Sequence, residues 1–223
     1  MQEGKNLEFF RKHFDRDETL VLPEYFPQAS TKHVLTTELL TGITVQEFAE
    51  STASREARSL IGEKFLEVFY NELFVLGKVQ TDPNFGNYKI QWSFGRQDPK
   101  LVLLDFGAVK TFTEKFRDEY RSLIHCAFRD DYEGIRHFAI EAGFLNEDDP
   151  DELVRMHYDL LKLFMEPFQT DEPFKWGEND LADRIRKFMP KFVMAFKLRP
   201  PPRDFVLLNR KVIGVYFFSQ AIK

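Results

Sequence analysis

Apolar residues recur at helical spacing through most of the chain, while strand-like runs are confined to its first half. In residues 3–14 (EGKNLEFFRKHF), Leu7, Phe10 and Phe14 fall on one face, which predicts the end of an amphipathic helix. Asp15–Asp17 break that pattern. Residues 19–41 read as extended. Leu20-Val21-Leu22 runs into Pro23, as at a strand end, and the β-branched and apolar run His33–Leu40 predicts a second strand. Thr41-Gly42 marks a turn, and Thr44 stands where it can cap a short helix over 45–50. The clearest helix covers 54–77. Ala57, Leu60, Ile61, Phe65, Val68, Phe69, Leu73 and Leu76 form its stripe, Ser54 its N-cap and Gly77 its stop.

A polar loop, Gln80–Asn87, follows. Tyr88–Trp92 and Leu101–Asp105 then read as two short strands. The turn between them, Ser93–Lys100, carries Gly95 and Asp98-Pro99, which suits a hairpin. From about residue 113 the pattern is helical, with helices expected at 113–128, 130–142, 149–166 and 178–196. Pro200-Pro201-Pro202 interrupts before a last helix at about 204–222. The class is α+β and mostly helical. It lacks the alternating strand–helix order of a doubly wound sheet, and no internal repeat is present.

Composition narrows the function classes. The 223 residues suffice for one domain, or for one large lobe with part of another, and 25 phenylalanines supply a core. A net charge of −5 with mostly interspersed signs argues against a nucleic-acid partner. Cys126 stands alone, so no intrachain disulfide forms, and it reads as a small buried hydrophobe. Met-Gln-Glu-Gly-Lys-Asn lacks the apolar stretch of a signal peptide, and no apolar run approaches the length of a membrane span.

The chemistry gathers around the hairpin. Asp82-Pro83-Asn84-Phe85-Gly86-Asn87 precedes it, and Asp105-Phe106-Gly107 ends it. Pairing the strands sets their outer ends side by side, which brings Asn87 near Asp105 with Asp82 one loop away. Kinase-type phosphoryl transfer needs this set. An Asp orients the nucleophile, an Asn five positions on binds metal, and the Asp of Asp-Phe-Gly binds metal that bridges the phosphates. Each motif alone is weak, but their order around one hairpin is specific. A calcium loop fails because Gly86 and Asn87 stand where its third ligand and its glycine belong. No G-x-S-x-G or H-E-x-x-H occurs, and His13, His33, His125, His137 and His157 lack zinc spacing.

QTDPNFGN (80–87) followed by LVLLDFG (101–107) resembles the UbiB/AarF/ADCK atypical kinase-like family, and more closely its coenzyme Q branch. HVLTTELLTG (33–42) resembles that family's fifth strand and hinge, and Pro200–Pro202 with Leu207–Arg210 its C-terminal signature. The resemblance implies a protein-kinase-like C-lobe over 42–223 with catalytic loop and DFG motif. Residues 1–41 would then be a remnant of the N-lobe, comprising the end of helix αC, two strands and the hinge.

It implies Asp82 as the catalytic Asp and Asn87 and Asp105 as metal ligands, with Asp105 also facing the nucleotide. Glu38 and Leu40 would offer hinge backbone to adenine, with Thr37 as gatekeeper and Glu3 at the αC glutamate position. The implied cofactors are Mg²⁺ and ATP. The family's strand lysine, Ala-rich loop and K-x-G-Q segment would all precede Met1, so residues 1–223 alone are expected to bind Mg·ATP poorly. Quinone-biosynthesis proteins and a membrane surface are the partners implied besides the nucleotide. The location would be cytoplasmic or peripheral on a bacterial inner membrane, or the mitochondrial matrix side. No Ala-Pro-Glu follows Asp105 and helix resumes soon after, which in the family fits a site closed to ordinary protein substrates. The alternatives are an inactive pseudokinase remnant or scaffold, and a small-molecule phosphotransferase of the aminoglycoside or choline kinase type.

Overall fold

Local sequence signals set most element boundaries in the computed structural model, which describes residues 2–92, 98–172, 174–176, 178–195 and 202–222. The order is α1 (Gln2–His13), β1 (Leu20–Val21), α2 (Val45–Glu50), α3 (Arg55–Tyr70), β2 (Lys78–Gln80), β3 (Tyr88–Gln91), β4 (Lys100–Leu103) and β5 (Val109–Thr111). Five helices follow: α4 (Glu114–Phe128), α5 (Tyr132–Glu141), α6 (Asp151–Met165), α7 (Leu181–Ala195) and α8 (Arg203–Ala221). Among the described residues helix takes 59% and strand 9%, so the class is mostly helical α+β. The chain packs as two units, Met1–Thr111 with Gly214–Lys223, and Phe112–Ile213.

In the first unit, caps do what the sequence predicts. Thr44 and Glu47 form a reciprocal capping box at α2, and Ser54 accepts from the Ala57 N–H at α3. Leu7 and Phe10 of α1 and Ile61, Phe65 and Phe69 of α3 are buried. Leu60 is instead 45% exposed, because it lies at the edge of the face centred on Ile61 and Phe65.

Two other expectations are corrected. The helix expected over 54–77 is α-helical only to Tyr70, and Asn71–Leu76 widens to a π-helix. The Asn71 side chain donates to the Glu67 carbonyl at 3.1 Å, competing with the backbone where the register slips. Gly77 then ends the helix at φ 65°. The strand expected at 33–40 is reduced to an isolated bridge, Tyr25↔Thr37. Its partner segment lies between Pro23 and Pro27, whose missing N–H groups stop a ladder from growing. Residues 93–97 of the expected turn, including Gly95, and Pro200 and Pro201 lie outside the described residues.

Two small ladders frame the site. β3 pairs antiparallel with β4, from Tyr88↔Leu103 to Gln91↔Lys100, and β1 pairs parallel with β4. β2 pairs antiparallel with β5, from Lys78↔Thr111 to Gln80↔Val109. Both connecting loops, 81–87 and 104–108, therefore run between the same two ladders and lie side by side.

The second unit is helical. Thr113 caps α4 and Asp131 caps α5. Its buried residues include Leu123, Ile135, Leu160, Phe164, Ile185, Phe192 and Phe205. His157 is buried among Phe144, Phe192 and Phe205. Among the described residues no helix is long and apolar enough to cross a membrane.

Candidate active site

Each end of the paired loops is fixed by backbone bonds. Where β2 meets β5, the Thr81 N–H and hydroxyl both donate to the Ala108 carbonyl, at 2.8 and 2.9 Å. Where β3 meets β4, the Leu104 N–H donates to the Asn87 carbonyl at 2.9 Å. This sets Asn87 beside the residue that precedes Asp105. Within the first loop, Asn84 Oδ1 accepts from the Gly86 N–H at 2.9 Å and the Asn84 carbonyl from the Asn87 N–H at 3.0 Å. That local turn delivers Asn87 back toward Asp82.

The Asn87 Nδ2 donates to Asp82 Oδ2 at 3.1 Å. A carboxylate only accepts, so the amide must present its NH₂ to Asp82, which turns its Oδ1 away. Asp105 Oδ1 accepts from the Gly107 N–H at 2.7 Å. Among the described residues, Asn87 Oδ1 and Asp105 Oδ2 carry no hydrogen bond. All three side chains are half-buried.

Phe106 anchors the second loop. It is 1% exposed and meets Phe10 of α1 at 5.2 Å between ring centroids. Its carbonyl accepts from the buried Asn6 Nδ2 at 2.9 Å. Glu3, one turn before Asn6, faces the same place: a Cβ built on Gly107 would lie 3.6 Å from its carboxyl carbon and 3.2 Å from Asp105 Oδ1. Burial, and then the nearby Asp105 charge, hold the Glu3 carboxyl above its ordinary range. Asn6 escapes motif reading, and Thr81 stands inside the 80–87 motif without a role assigned to it there. The one available signal for Asn6 is its i+3 spacing from Glu3 on a helix face.

These groups suit a hard cation. Asn87 Oδ1 and Asp105 Oδ2 are free oxygen donors, and crowding of Glu3 with Asp105 is what a positive charge would relieve. Among the described residues no cluster of three or more His, Cys, Asp or Glu side chains forms a metal cage. Mg²⁺ does not require one, since it keeps waters and is completed by phosphate oxygens.

Thr37 is half-buried, Glu38 exposed and Leu40 buried. The Glu38 N–H donates to the Glu24 carbonyl at 2.8 Å, and Glu38 Oε2 accepts from the Glu24 N–H at 3.1 Å. Among the described residues, the Glu38 carbonyl and the Leu40 N–H have no hydrogen-bond partner. No hydrogen bond joins these three residues to Asp82, Asn87 or Asp105. Their link runs through β3, where Ile43 exchanges bonds with Ile90 at 3.0 and 2.8 Å and Gln91 Nε2 donates to the Thr41 carbonyl.

Residues 1–139 match the ABC1 atypical kinase-like domain. The mitochondrial atypical kinase coq-8 of Caenorhabditis elegans is 30% identical over 222 residues, 100% of this chain and 29% of that protein. The mitochondrial atypical kinase COQ8 of Saccharomyces cerevisiae is 27% identical over 217 residues, 96% of this chain and 42% of that protein. The probable protein kinase UbiB of Xylella fastidiosa is 26% identical over 145 residues, 65% of this chain and 26% of that protein. The chain thus spans well under half the length of these curated relatives. Among solved structures, the complex of Rv3197 with erythromycin from Mycobacterium tuberculosis matches with a TM-score of 0.71 at 21% identity, over 99% of this chain and 53% of that one. That likeness shows a shared fold. By the domain match over more than half its length and the relatives that align along it, this chain belongs to the ABC1 atypical kinase-like family, the UbiB/ADCK group.

Proposed function

We propose that this chain supplies the metal- and phosphate-facing wall and the hinge of an Mg·ATP site, in an atypical kinase or ATPase that supports isoprenoid-quinone (ubiquinone) biosynthesis. In this reading residues 1–41 carry the end of the N-lobe and the hinge, and 42–223 the C-lobe. The observation that carries the reading is the Asn87–Asp82 bond, formed on a loop whose Asn87 carbonyl is tied to Leu104 beside Asp105. That bond turns Asn87 Oδ1 outward, and Asp105, which bonds the Gly107 N–H through Oδ1, keeps Oδ2 open to take a cation beside it.

The residues divide the work. Asp82, held by Asn87, accepts or orients the proton of the attacking hydroxyl or water. Asn87 and Asp105 hold Mg²⁺, which when bound neutralises charge on the phosphates. The free Glu38 carbonyl and Leu40 N–H match the acceptor and donor edge of adenine, with Thr37 behind them. Residues 106–113 alone separate Asp105 from α4, and β5 within them is paired to β2. That leaves no free segment to cradle a peptide, which favours a small-molecule acceptor or water over a protein substrate.

The proposal extends to a membrane partner. The end of α7 exposes Val193 (57%) and Met194 (64%) beside exposed Arg186, Lys187 and Lys191. A helix end of this kind suits an anionic surface, in keeping with the mitochondrial names of several relatives.

The test is titration of ATP into the protein at its natural length, with and without Mg²⁺, together with phosphate release. Mg²⁺-dependent binding with turnover is expected. Binding indifferent to Mg²⁺ would count against the metal assignment, and no binding at all would favour a scaffold.

A further inference from the structure

Glycine is among the least favourable residues inside a helix, yet Gly214 stands within α8. Its surroundings give the reason. A Cβ built there would lie 2.1 Å from Pro83 Cβ, 3.0 Å from Pro83 Cγ and 3.4 Å from Pro83 Cα. The proline ring cannot turn aside, because its Cβ is locked to the backbone and its φ is fixed. Pro83 directly follows Asp82.

One turn on, Phe218 is fully buried on the same side of α8. Its ring meets Phe85 at 5.6 Å and Tyr88 at 5.8 Å, both edge to face. Tyr88 directly follows Asn87. The helix cannot retreat from these contacts. Phe218 stacks on Phe65 of α3 at 3.8 Å. The Tyr216 hydroxyl is hydrogen-bonded to Tyr70, and Ile222 lies 3.4 Å from where a Cβ on Gly62 would sit.

We infer that Gly214 and Phe218 are positioning residues for the phosphoryl-transfer site: α8 grips the loop at Pro83 and at Phe85 and Tyr88, next to Asp82 and Asn87, and so sets the separation of those two side chains. The inference rests on the reading of Asp82 and Asn87 as the polar centre of an Mg·ATP site. Any side chain at 214 must push Pro83, and with it Asp82, out of place. Misplacement by about 1 Å costs about a hundredfold in rate.

The test compares Gly214→Ala, Pro83→Gly, their double variant, Phe218→Leu and Asp105→Asn in the protein at its natural length. The readouts are kcat and KM for Mg·ATP and the melting temperature. Gly214→Ala is expected to lower kcat by about tenfold to a hundredfold with KM little changed. Phe218→Leu is expected to lower it less. Pro83→Gly removes the obstructing ring, so the double variant should recover to the level of Pro83→Gly alone. A merely structural glycine would lower the melting temperature on substitution but leave kcat of the folded protein unchanged, so there would be no loss of kcat for Pro83→Gly to rescue. If Gly214→Ala fails to fold and the double variant folds, the contact is supported. If neither folds, or the double variant is no better than Gly214→Ala, or Gly214→Ala turns over like wild type, the inference is wrong. Loss of Mg·ATP binding in Asp105→Asn beside an unaffected Gly214→Ala overturns the positioning role alone. An unaffected Asp105→Asn overturns the site reading beneath it.

Discussion

The Asn87 side-chain amide donates to Asp82 Oδ2 across 3.1 Å, closing the loop between β2 and β3 on itself. That bond helps to orient the Asp82 carboxylate, alongside its other contacts, and turns Asn87 Oδ1 outward. Asn87→Ala removes both effects. A single half-buried hydrogen bond contributes about 1 kcal/mol, so melting should shift only slightly. Mg²⁺-dependent nucleotide binding should weaken far more than stability does. Thermal unfolding and Mg²⁺ titration of the same variant check this, and parallel losses would mark the bond as structural.

Asn6 ties α1 to the second loop through the Phe106 carbonyl. Asn6→Ala leaves a buried acceptor without its donor, at a cost of about 1–3 kcal/mol. Urea unfolding should show that loss. Phosphate release should fall with it, since Phe106 lies between Asp105 and Gly107. Asn6→Asp, which cannot donate when ionised, should behave at least as badly.

His157 makes stability depend on pH. Burial lowers its pKa from 6.5 to about 4 in the folded chain. Between those values the unfolded chain binds a proton that the folded chain does not. Stability is therefore fully present above about pH 6.5 and is lost as pH falls toward 4, by about 3 kcal/mol at most. Chemical denaturation at pH 7, 5.5 and 4.5 measures the slope. His157→Phe, in surroundings already lined by Phe144, Phe192 and Phe205, should flatten it.

What could be read along the chain is what is local. Thr44 with Glu47 and Ser54 with Ala57 are caps formed within a few residues, and they stand where their sequence puts them. The β3–β4 hairpin brings the Asp82–Asn87 loop alongside Asp105 because strand pairing leaves little choice. The run at 33–40 has strand composition, but composition does not tell whether a partner strand is available, and the neighbouring prolines deny it one. In the π-helical segment that follows α3, the Asn71 side chain bonds the Glu67 carbonyl, a competition that the apolar stripe does not announce. Asn6 and Gly214 act through residues about a hundred or more positions away, so no window of sequence could single them out.

The most direct test of the central claim is calorimetric titration of Mg·ATP into wild-type protein and Asp105→Asn, both at natural length. The substitution keeps the shape and an oxygen donor but removes the charge that would hold the metal. Affinity is expected to fall by about tenfold or more, equivalent to about 1.4 kcal/mol or more, with the melting temperature little changed. Equal affinity in the two proteins would contradict the assignment of Asp105, and with it the Mg·ATP site.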